Sequence, residues 1–325
     1  MLQSIVPVLL GIAAGATGMV VLSFAIEALR SRPTPPRRLP WAPDIEIEYL
    51  HTSAGRIRYI KTGQGPTLVL LHTLRTQLDL FEKLVPDLAK DFTVYALDFP
   101  GRGYSDIPRG SYDATFFTGA VESFLDSLDL QNVTLAGVSI GASIGLIIAS
   151  HRNPRVLKVV AINPYDYAKG RGLARSSWLA RLLLAAARVP VFGETVMRLR
   201  SFPIIKAVFD GGMADPRRMP PRLLKEMYRV GNRPGHYRAF LSLLRNSESW
   251  ELATKDYVNI KIPVLLVWGK QDWARTDEME HDRQIIPGAR MVIVDDGGHF
   301  LPLDRPDAVI ERLRALKVTP TNSAV

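Results

Sequence analysis

The stretch Gly137-Val138-Ser139-Ile140-Gly141 decides how this 325-residue chain folds. It follows an apolar run that predicts a buried strand (133–136) and precedes a small, apolar run that predicts a helix packed on a sheet (142–150). An abrupt turn from strand to helix strains the turn residue and exposes its side chain, and glycines on either side remove β-carbons that would clash. The helix N-terminus adds free N–H groups and a positive dipole end. Ser139 therefore lies where a nucleophile is needed.

A serine needs a base to take its proton, and the base needs a carboxylate to hold its tautomer. Of six histidines, only His299 lies in a glycine-flanked loop (296–300) directly after a strand-like run (291–294). Asp272 follows another buried strand, 264–269. Both side chains are expected at the carboxyl ends of strands, on the edge that carries Ser139. The chain order Ser, Asp, His is that of the α/β-hydrolase arrangement.

From these residues the chain resembles the cap-bearing members of the α/β-hydrolase superfamily, over roughly Asp44 to Leu316. Beyond the serine turn, three further motifs carry the resemblance: Gly63-Gln64-Gly65-Pro66 with Leu68-Val69-Leu70-Leu71-His72, Asp98-Phe99-Pro100-Gly101-Arg102-Gly103-Tyr104-Ser105-Asp106, and Gly298-His299-Phe300 with Asp304-Arg305-Pro306. The resemblance implies a mostly parallel, eight-stranded sheet with flanking helices, formed by residues 44–164 and 251–318.

The resemblance also implies site residues. Ser139 would be the nucleophile, His299 the base and Asp272 the acid. Asp166 is an alternative acid position known in the family, and Asp277 is a poorer candidate because it falls inside a predicted helix. The resemblance further suggests a substrate pocket near four residues: His72, Thr73, Phe99 and Phe300.

One departure from the family pattern concerns the oxyanion hole, which is expected from the N–H groups of Ile140 and Leu74. Family members usually carry glycine after the histidine that ends the strand, whereas this chain has Thr73 after His72. Threonine disfavours the positive φ open to glycine, so we expect a different loop path. Thr73 or Arg75 could add a donor, the loop could be ordinary with the Leu74 N–H still inward, or the hole could be broken.

About 100 residues separate the strand-like runs 159–162 and 264–269, far more than a crossover needs. The family inserts a helical cap here, and we predict one over 165–250. This segment holds 16 Lys and Arg against 6 Asp and Glu. It could lie on an anionic membrane leaflet, or it could be ordinary cap helices that leave their arginines in water.

The N-terminus predicts a membrane anchor over 1–30, because Ile5 to Ile26 supplies 22 mostly apolar residues without charge. A cleaved signal peptide is the alternative. Arginines after the span predict a single-pass protein whose catalytic domain faces the cytoplasm. A proline-rich linker is expected over 31–43, with Trp41 at the headgroups, and a disordered tail over 319–325.

Composition narrows the function. The chain has no cysteine, no histidine cluster at metal-ligand spacing and no phosphate-binding glycine motif, so we predict neither metal nor cofactor. The net charge of +9 comes without a nucleic-acid motif. We therefore predict a serine esterase acting on lipophilic or membrane-derived esters. The alternatives are a non-catalytic, membrane-anchored lipid-binding or scaffold protein, and a cofactor-free haloperoxidase or C–C bond hydrolase with the same triad. The oligomeric state is left open.

Overall fold

A computed structural model, which describes residues 2–317, shows a twisted central sheet flanked by helices. The described strands are β1 (Arg38–Leu39), β2 (Ala42–Thr52), β3 (Gly55–Thr62), β4 (Thr67–Leu71), β5 (Thr93–Leu97), β6 (Val133–Val138), β7 (Val156–Ile162), β8 (Val264–Gly269) and β9 (Arg290–Val294). They are ordered β1-β2-β3-β5-β4-β6-β7-β8-β9. The neighbouring strands in the order β5-β4-β6-β7-β8-β9 all pair parallel. The pairs β1–β2, β2–β3 and β3–β5 are antiparallel.

Helices cover both faces and fill one long connection. They are α1 (Leu2–Ala28), α2 (Val85–Leu88), α3 (Ala114–Ser127), α4 (Ile140–Ser150), α5 (Trp178–Ala187), α6 (Phe192–Arg198), α7 (Phe202–Asp210), α8 (Pro221–Val230), α9 (His236–Arg245), α10 (Glu248–Ala253), α11 (Thr276–Ile285), α12 (Leu301–Asp304) and α13 (Pro306–Lys317). Helices α5 to α10 all lie between β7 and β8, where the sequence predicts the cap. We call this segment, 168–259, the helical insertion.

The sheet has two apolar faces because its central strands are buried on both sides. In β4, Val69 and Leu71 pack into one core cluster, and Leu68 and Leu70 pack into the other. Residues of α4 are buried along its whole length. Parallel register sets Val138 beside Ile162, and Ile162 beside Val267. The loops after β6, β7 and β8 therefore emerge at one edge of the sheet.

The N-terminal helix differs from the predicted anchor. Among the helices that the structure describes, none combines the length and the apolar character needed to span a bilayer. This finding overturns the predicted anchor over 1–30 and the membrane localisation derived from it. The C-terminal part of α1 instead packs on the insertion through polar groups: Arg198 Nε donates to Ser23 Oγ at 2.9 Å, and Glu27 Oε2 lies 3.0 Å from Arg200 Nη1. Hydropathy alone does not register these buried contacts.

The segment after α1 also differs from the prediction of a plain linker over 31–43. Arg38–Leu39 forms the short edge strand β1, which pairs antiparallel with β2. The Leu39 side chain is completely buried. This pairing gives nine described strands where eight were predicted. The Trp41 indole N–H donates to Asp79 Oδ1 at 2.8 Å, so Trp41 anchors this segment to the protein. The predicted tail, 319–325, lies outside the described residues.

Candidate active site

Ser139 occupies a strained turn between β6 and α4. Its backbone angles are φ 58° and ψ −119°, a conformation that a non-glycine residue rarely adopts. A β-carbon at Gly137 would lie 2.1 Å from the Gly141 carbonyl oxygen, and one at Gly141 would lie 2.3 Å from the Leu71 carbonyl oxygen. Both glycines are therefore required by close backbone approach. We call residues 137–141 the elbow.

Asp272 and His299 are brought together by the loops that follow β8 and β9. His299 Nδ1 lies 2.6 Å from Asp272 Oδ1, and both side chains are fully buried. The second carboxylate oxygen of Asp272 accepts the Ala274 N–H at 2.9 Å, which fixes its orientation. Because a carboxylate accepts at Nδ1, that nitrogen carries the proton of the neutral ring and Nε2 keeps a free lone pair. The imidazole is thus arranged as a base at Nε2.

The serine hydroxyl and the free imidazole nitrogen are both unpartnered. Ser139 Oγ and His299 Nε2 are buried and have no hydrogen-bond partner among residues 2–317. Hydrogen bonds between catalytic groups are often long in ligand-free enzymes and tighten when substrate binds. A hydroxyl donor and an imidazole acceptor left open at the same sheet edge have the complementary chemistry that proton transfer needs.

Asn163, which the sequence analysis did not single out, fixes the histidine loop. It follows β7 with φ 47°, and its side-chain amide donates to the carbonyls of Gly298 at 2.9 Å and His299 at 3.1 Å. Its Oδ1 accepts the Gly269 N–H at 2.8 Å. One buried amide therefore ties together the loops that carry Asp272 and His299. An asparagine directly after a buried strand was the available signal.

Trp273 is a second residue that the sequence analysis missed. Its ring stacks on the His299 imidazole at 3.7 Å between centroids with 15° between planes. Its indole N–H donates to the Gly211 carbonyl at 3.0 Å, and the His299 backbone N–H donates to the Gly212 carbonyl at 2.7 Å. The helical insertion therefore covers the histidine directly. The position next to the predicted acid was the only sequence signal.

The loop after β4 is built around a neutral, buried His72. Its Nε2 accepts the Phe99 N–H at 3.0 Å, so Nδ1 donates to the Thr73 carbonyl at 2.7 Å. Burial lowers the pKa of His72 to about 4, which keeps the ring uncharged. His72 and Phe99 also pack ring to ring at 4.4 Å. Both side chains are fully buried, and Phe99, which follows β5, packs against the loop after β4.

Positive φ in this loop falls on Arg75 (58°) instead of Thr73. The Arg75 guanidinium lies 5.1 Å from the Phe240 ring, within the helical insertion. Leu74 is buried, and Ile140 is the first residue of α4, whose N–H has no intrahelical acceptor. Thr73 Oγ1 is buried without a hydrogen-bond partner in the described part of the chain.

Of the remaining predicted site residues, Phe300 lies next to His299, whereas Asp166 and Asp277 do not contact it. Phe300 packs edge-on against His299 at 5.6 Å, next to the candidate base. Asp166 instead accepts the Tyr257 hydroxyl at 2.7 Å, and burial raises its pKa to about 6. The carboxylate bonded to His299 is that of Asp272. Asp277 lies in α11, and no three His, Asp or Glu side chains within residues 2–317 are grouped to hold a metal ion.

Comparison with known proteins identifies a matching family, similar proteins and similar solved structures. A family model described as the alpha/beta hydrolase fold matches residues 66–306. Mouse epoxide hydrolase 4 is 26% identical over 272 residues, 78% of this chain and 74% of the relative. Carboxylesterase YbfK of Bacillus subtilis is 24% identical over 278 residues, 84% of this chain and 88% of the relative. The crystal structure of the enol-lactonase from Burkholderia xenovorans LB400 superposes with a TM-score of 0.68 at 24% identity, covering 84% of this chain and 100% of that one.

Proposed function

The chain belongs to the α/β-hydrolase family, and we propose that it is a serine hydrolase that cleaves carboxylic esters of lipophilic substrates. The observation that carries the proposal is the 2.6 Å contact between Asp272 and His299, which leaves Nε2 as a base on the sheet edge that bears the strained Ser139. Hydrolases with several different activities are among the relatives, so the family alone does not select the ester reaction.

In the proposed mechanism His299 Nε2 takes the Ser139 proton as Oγ attacks the ester carbonyl. Asp272 stabilises the imidazolium that results. The N–H groups of Ile140 and Leu74 bind the oxyanion of the tetrahedral intermediate. The imidazolium then protonates the leaving alkoxide, and water activated by the same imidazole releases the acid from the acyl-enzyme.

The nucleophile type favours ester hydrolysis over the reactions named for some relatives. The family resemblance implies that epoxide hydrolases and haloalkane dehalogenases of this fold carry aspartate at the elbow, where this chain carries Ser139. A serine forms an acyl-enzyme with a carbonyl substrate, and water can hydrolyse that intermediate. We therefore propose that this chain is one of the family members that use a serine nucleophile.

A lipophilic substrate is supported by an apolar cavity in the helical insertion. The cavity has a volume of about 160 Å³, and most of its lining is aliphatic. Burial of apolar substrate area contributes roughly 25 cal/mol per Å², so such a lining favours alkyl groups over polar ones. We expect esters with roughly four to eight acyl carbons to be preferred over acetates.

A fluorophosphonate probe tests the nucleophile. The wild-type protein and Ser150→Ala, a control serine on α4, should be labelled, and Ser139→Ala should not. Absence of labelling in the wild type contradicts the proposal. An ester panel of increasing acyl length then tests the substrate class, and a preference for acetate would contradict the lipophilic assignment.

A further inference from the structure

Arg75 is a buried cation with no acidic partner among residues 2–317. Its side chain is almost completely buried, and Nε and Nη2 have no hydrogen-bond partner among residues 2–317. Burial, together with the nearby charges of Arg200 and Arg102, lowers the pKa of Arg75 to about 9. An ionised group taken out of water is costly unless an opposite charge or hydrogen bonds compensate it. The described residues therefore leave the positive charge of Arg75 uncompensated.

The side chains around Arg75 do not supply that charge. The guanidinium lies 5.1 Å from the Phe240 ring, and a β-carbon at Gly231 would be 3.5 Å from Nη2. His236, beside it, is buried with its Nδ1 unpartnered in the described structure. Arg200 differs, because Glu27 lies 3.0 Å from its Nη1 and compensates it. Arg102 likewise has two unpartnered guanidinium nitrogens within residues 2–317, so what sets Arg75 apart is its position on the cavity described next.

Arg75 also lines the aliphatic cavity of about 160 Å³. Apart from Arg75, Arg200 and Phe240, the lining is made of aliphatic and methionine side chains, among them Leu184, Met197 and Ile205. A cationic end and an apolar body match a ligand with one anionic group on a short alkyl chain. A planar guanidinium fork fits a carboxylate in particular.

Arg75, on the cavity wall, belongs to the loop after β4, and the same loop contacts the elbow. Arg75 follows His72 by three residues, a span of at most about 11 Å. The His72 carbonyl oxygen is only 2.6 Å from the position of a β-carbon at Gly141, in the elbow. A ligand held by Arg75 is therefore anchored by the same loop that is expected to furnish the Leu74 N–H.

We propose that Arg75 is a specificity-determining residue that binds a free carboxylate on the substrate, whose alkyl chain fills the aliphatic cavity. The substrate class is then an ester that carries a second, ionised carboxyl group at the far end of a short apolar chain. This inference rests on the proposed serine-hydrolase function and specifies its substrate. Arg75 acts on binding and does not enter the proton transfers.

The test compares two esters of equal chain length, p-nitrophenyl hexanoate and mono-p-nitrophenyl adipate. We expect wild-type kcat/KM to be at least about 10-fold higher for the adipate ester, as one charge-assisted pair would give. Arg75→Met should lose about 10- to 100-fold on the adipate ester, mainly through KM, and stay within about 3-fold on the hexanoate ester. Arg109→Met, at an exposed arginine, is the control and should change neither.

Three outcomes separate the two proposals. No turnover of either ester together with no fluorophosphonate labelling overturns the serine-hydrolase function. Turnover of hexanoate ester without an advantage for the adipate ester, or equal losses on both in Arg75→Met, overturns the role of Arg75 alone. A binding readout guards against misfolding: hexanoate should raise the melting temperature of Ser139→Ala, while hexan-1-ol should not. An equal rise with both ligands would also contradict the carboxylate site.

Discussion

At the scale of single residues, two buried carboxylates near the elbow are distinguished by their partners. Asp272 contacts His299, whereas Asp166 accepts from Tyr257 and Ser143. Asp272→Asn should lower kcat by about 10⁴-fold, because the amide favours the wrong imidazole tautomer. Asp166→Asn should cost less than about 10-fold, since it touches no group in the proposed proton transfers. Steady-state ester hydrolysis checks both, and a larger loss in Asp166→Asn would reverse the assignment of the acid.

Asp166 and Asp282 form a buried pair that makes stability depend on pH. Burial raises the pKa of Asp166 to about 6, and burial together with the nearby Asp166 carboxylate raises that of Asp282 well above its usual value. The native state then binds more protons than the unfolded chain above pH 4. The free energy of unfolding should therefore fall as pH rises above about 4, and most of the contribution from Asp166 should be lost once the pH passes about 6.

Asp282→Asn removes one titrating group and keeps a donor toward Asp166. We expect the variant to flatten this pH dependence and to exceed the wild type in stability by about 1–3 kcal/mol at pH 9, with a smaller difference at pH 5. Urea unfolding at the two pH values measures it. Parallel stability curves for the two proteins across this range would argue against raised pKa values in this pair.

The sequence predicts Ser139, Asp272 and His299 as a set because each lies in a loop with a local signature. It does not reveal Asn163 or Trp273, since their roles depend on contacts across the fold: the Asn163 amide reaches the carbonyl of Gly298, and the Trp273 ring lies on His299. The sequence presents Arg75 only as a possible oxyanion donor. Arg75 is buried against the helical insertion, and no local sequence pattern encodes that packing.

At the scale of elements, the elbow depends on backbone contact between its own glycines and β4. Gly137→Ala would place a β-carbon 2.1 Å from the Gly141 carbonyl oxygen, a distance that real contacts do not show. We expect this variant to lose at least about 3 kcal/mol of stability or to fail to fold. Gly145→Ala, on the helix α4 that follows the elbow, is the control: its β-carbon would be 3.3 Å from Val159 Cγ1 and is tolerated with a small shift.

Chemical denaturation of the two variants measures the difference. Gly145→Ala should stay within about 1.5 kcal/mol of the wild type, and alanine's better helix propensity helps it. If Gly137→Ala were as stable as Gly145→Ala, the turn would not have the tight path described. Because the glycines and the serine of the elbow are neighbours in the sequence, this turn could be predicted from the sequence.

Helix α1 shows where element prediction fails. Its apolar composition suggested a membrane span, but Ser23 and Glu27 are paired with buried arginines of the insertion. Those partners lie about 170 residues further along the chain, so a hydropathy window cannot contain them. The central strands, by contrast, were predictable because their apolar runs are short and bounded by turn residues.

At the scale of the whole molecule, the contact between α1 and the helical insertion depends on one buried carboxylate. Glu27 Oε2 lies 3.0 Å from both Arg30 Nε and Arg200 Nη1, and Glu27 Oε1 accepts the Gly235 N–H at 3.2 Å. Removing the carboxylate leaves Arg200 buried and uncompensated, near Arg75, which has no acidic partner in the described part of the chain. The docking of the N-terminal helix and the charge balance of the cavity are thus linked.

Glu27→Leu should therefore lower the free energy of unfolding by about 3–5 kcal/mol. The double variant Glu27→Leu with Arg200→Met should recover most of that loss, because replacing both members of a buried pair by apolar side chains is often neutral. Urea unfolding of both variants and the wild type measures the coupling, with Glu280→Leu, at an exposed pair with Arg283, as the control expected to change little. Equal losses in the single and double variants would mean that α1 docks without this ion pair, and Glu27 would then be a bystander at the interface.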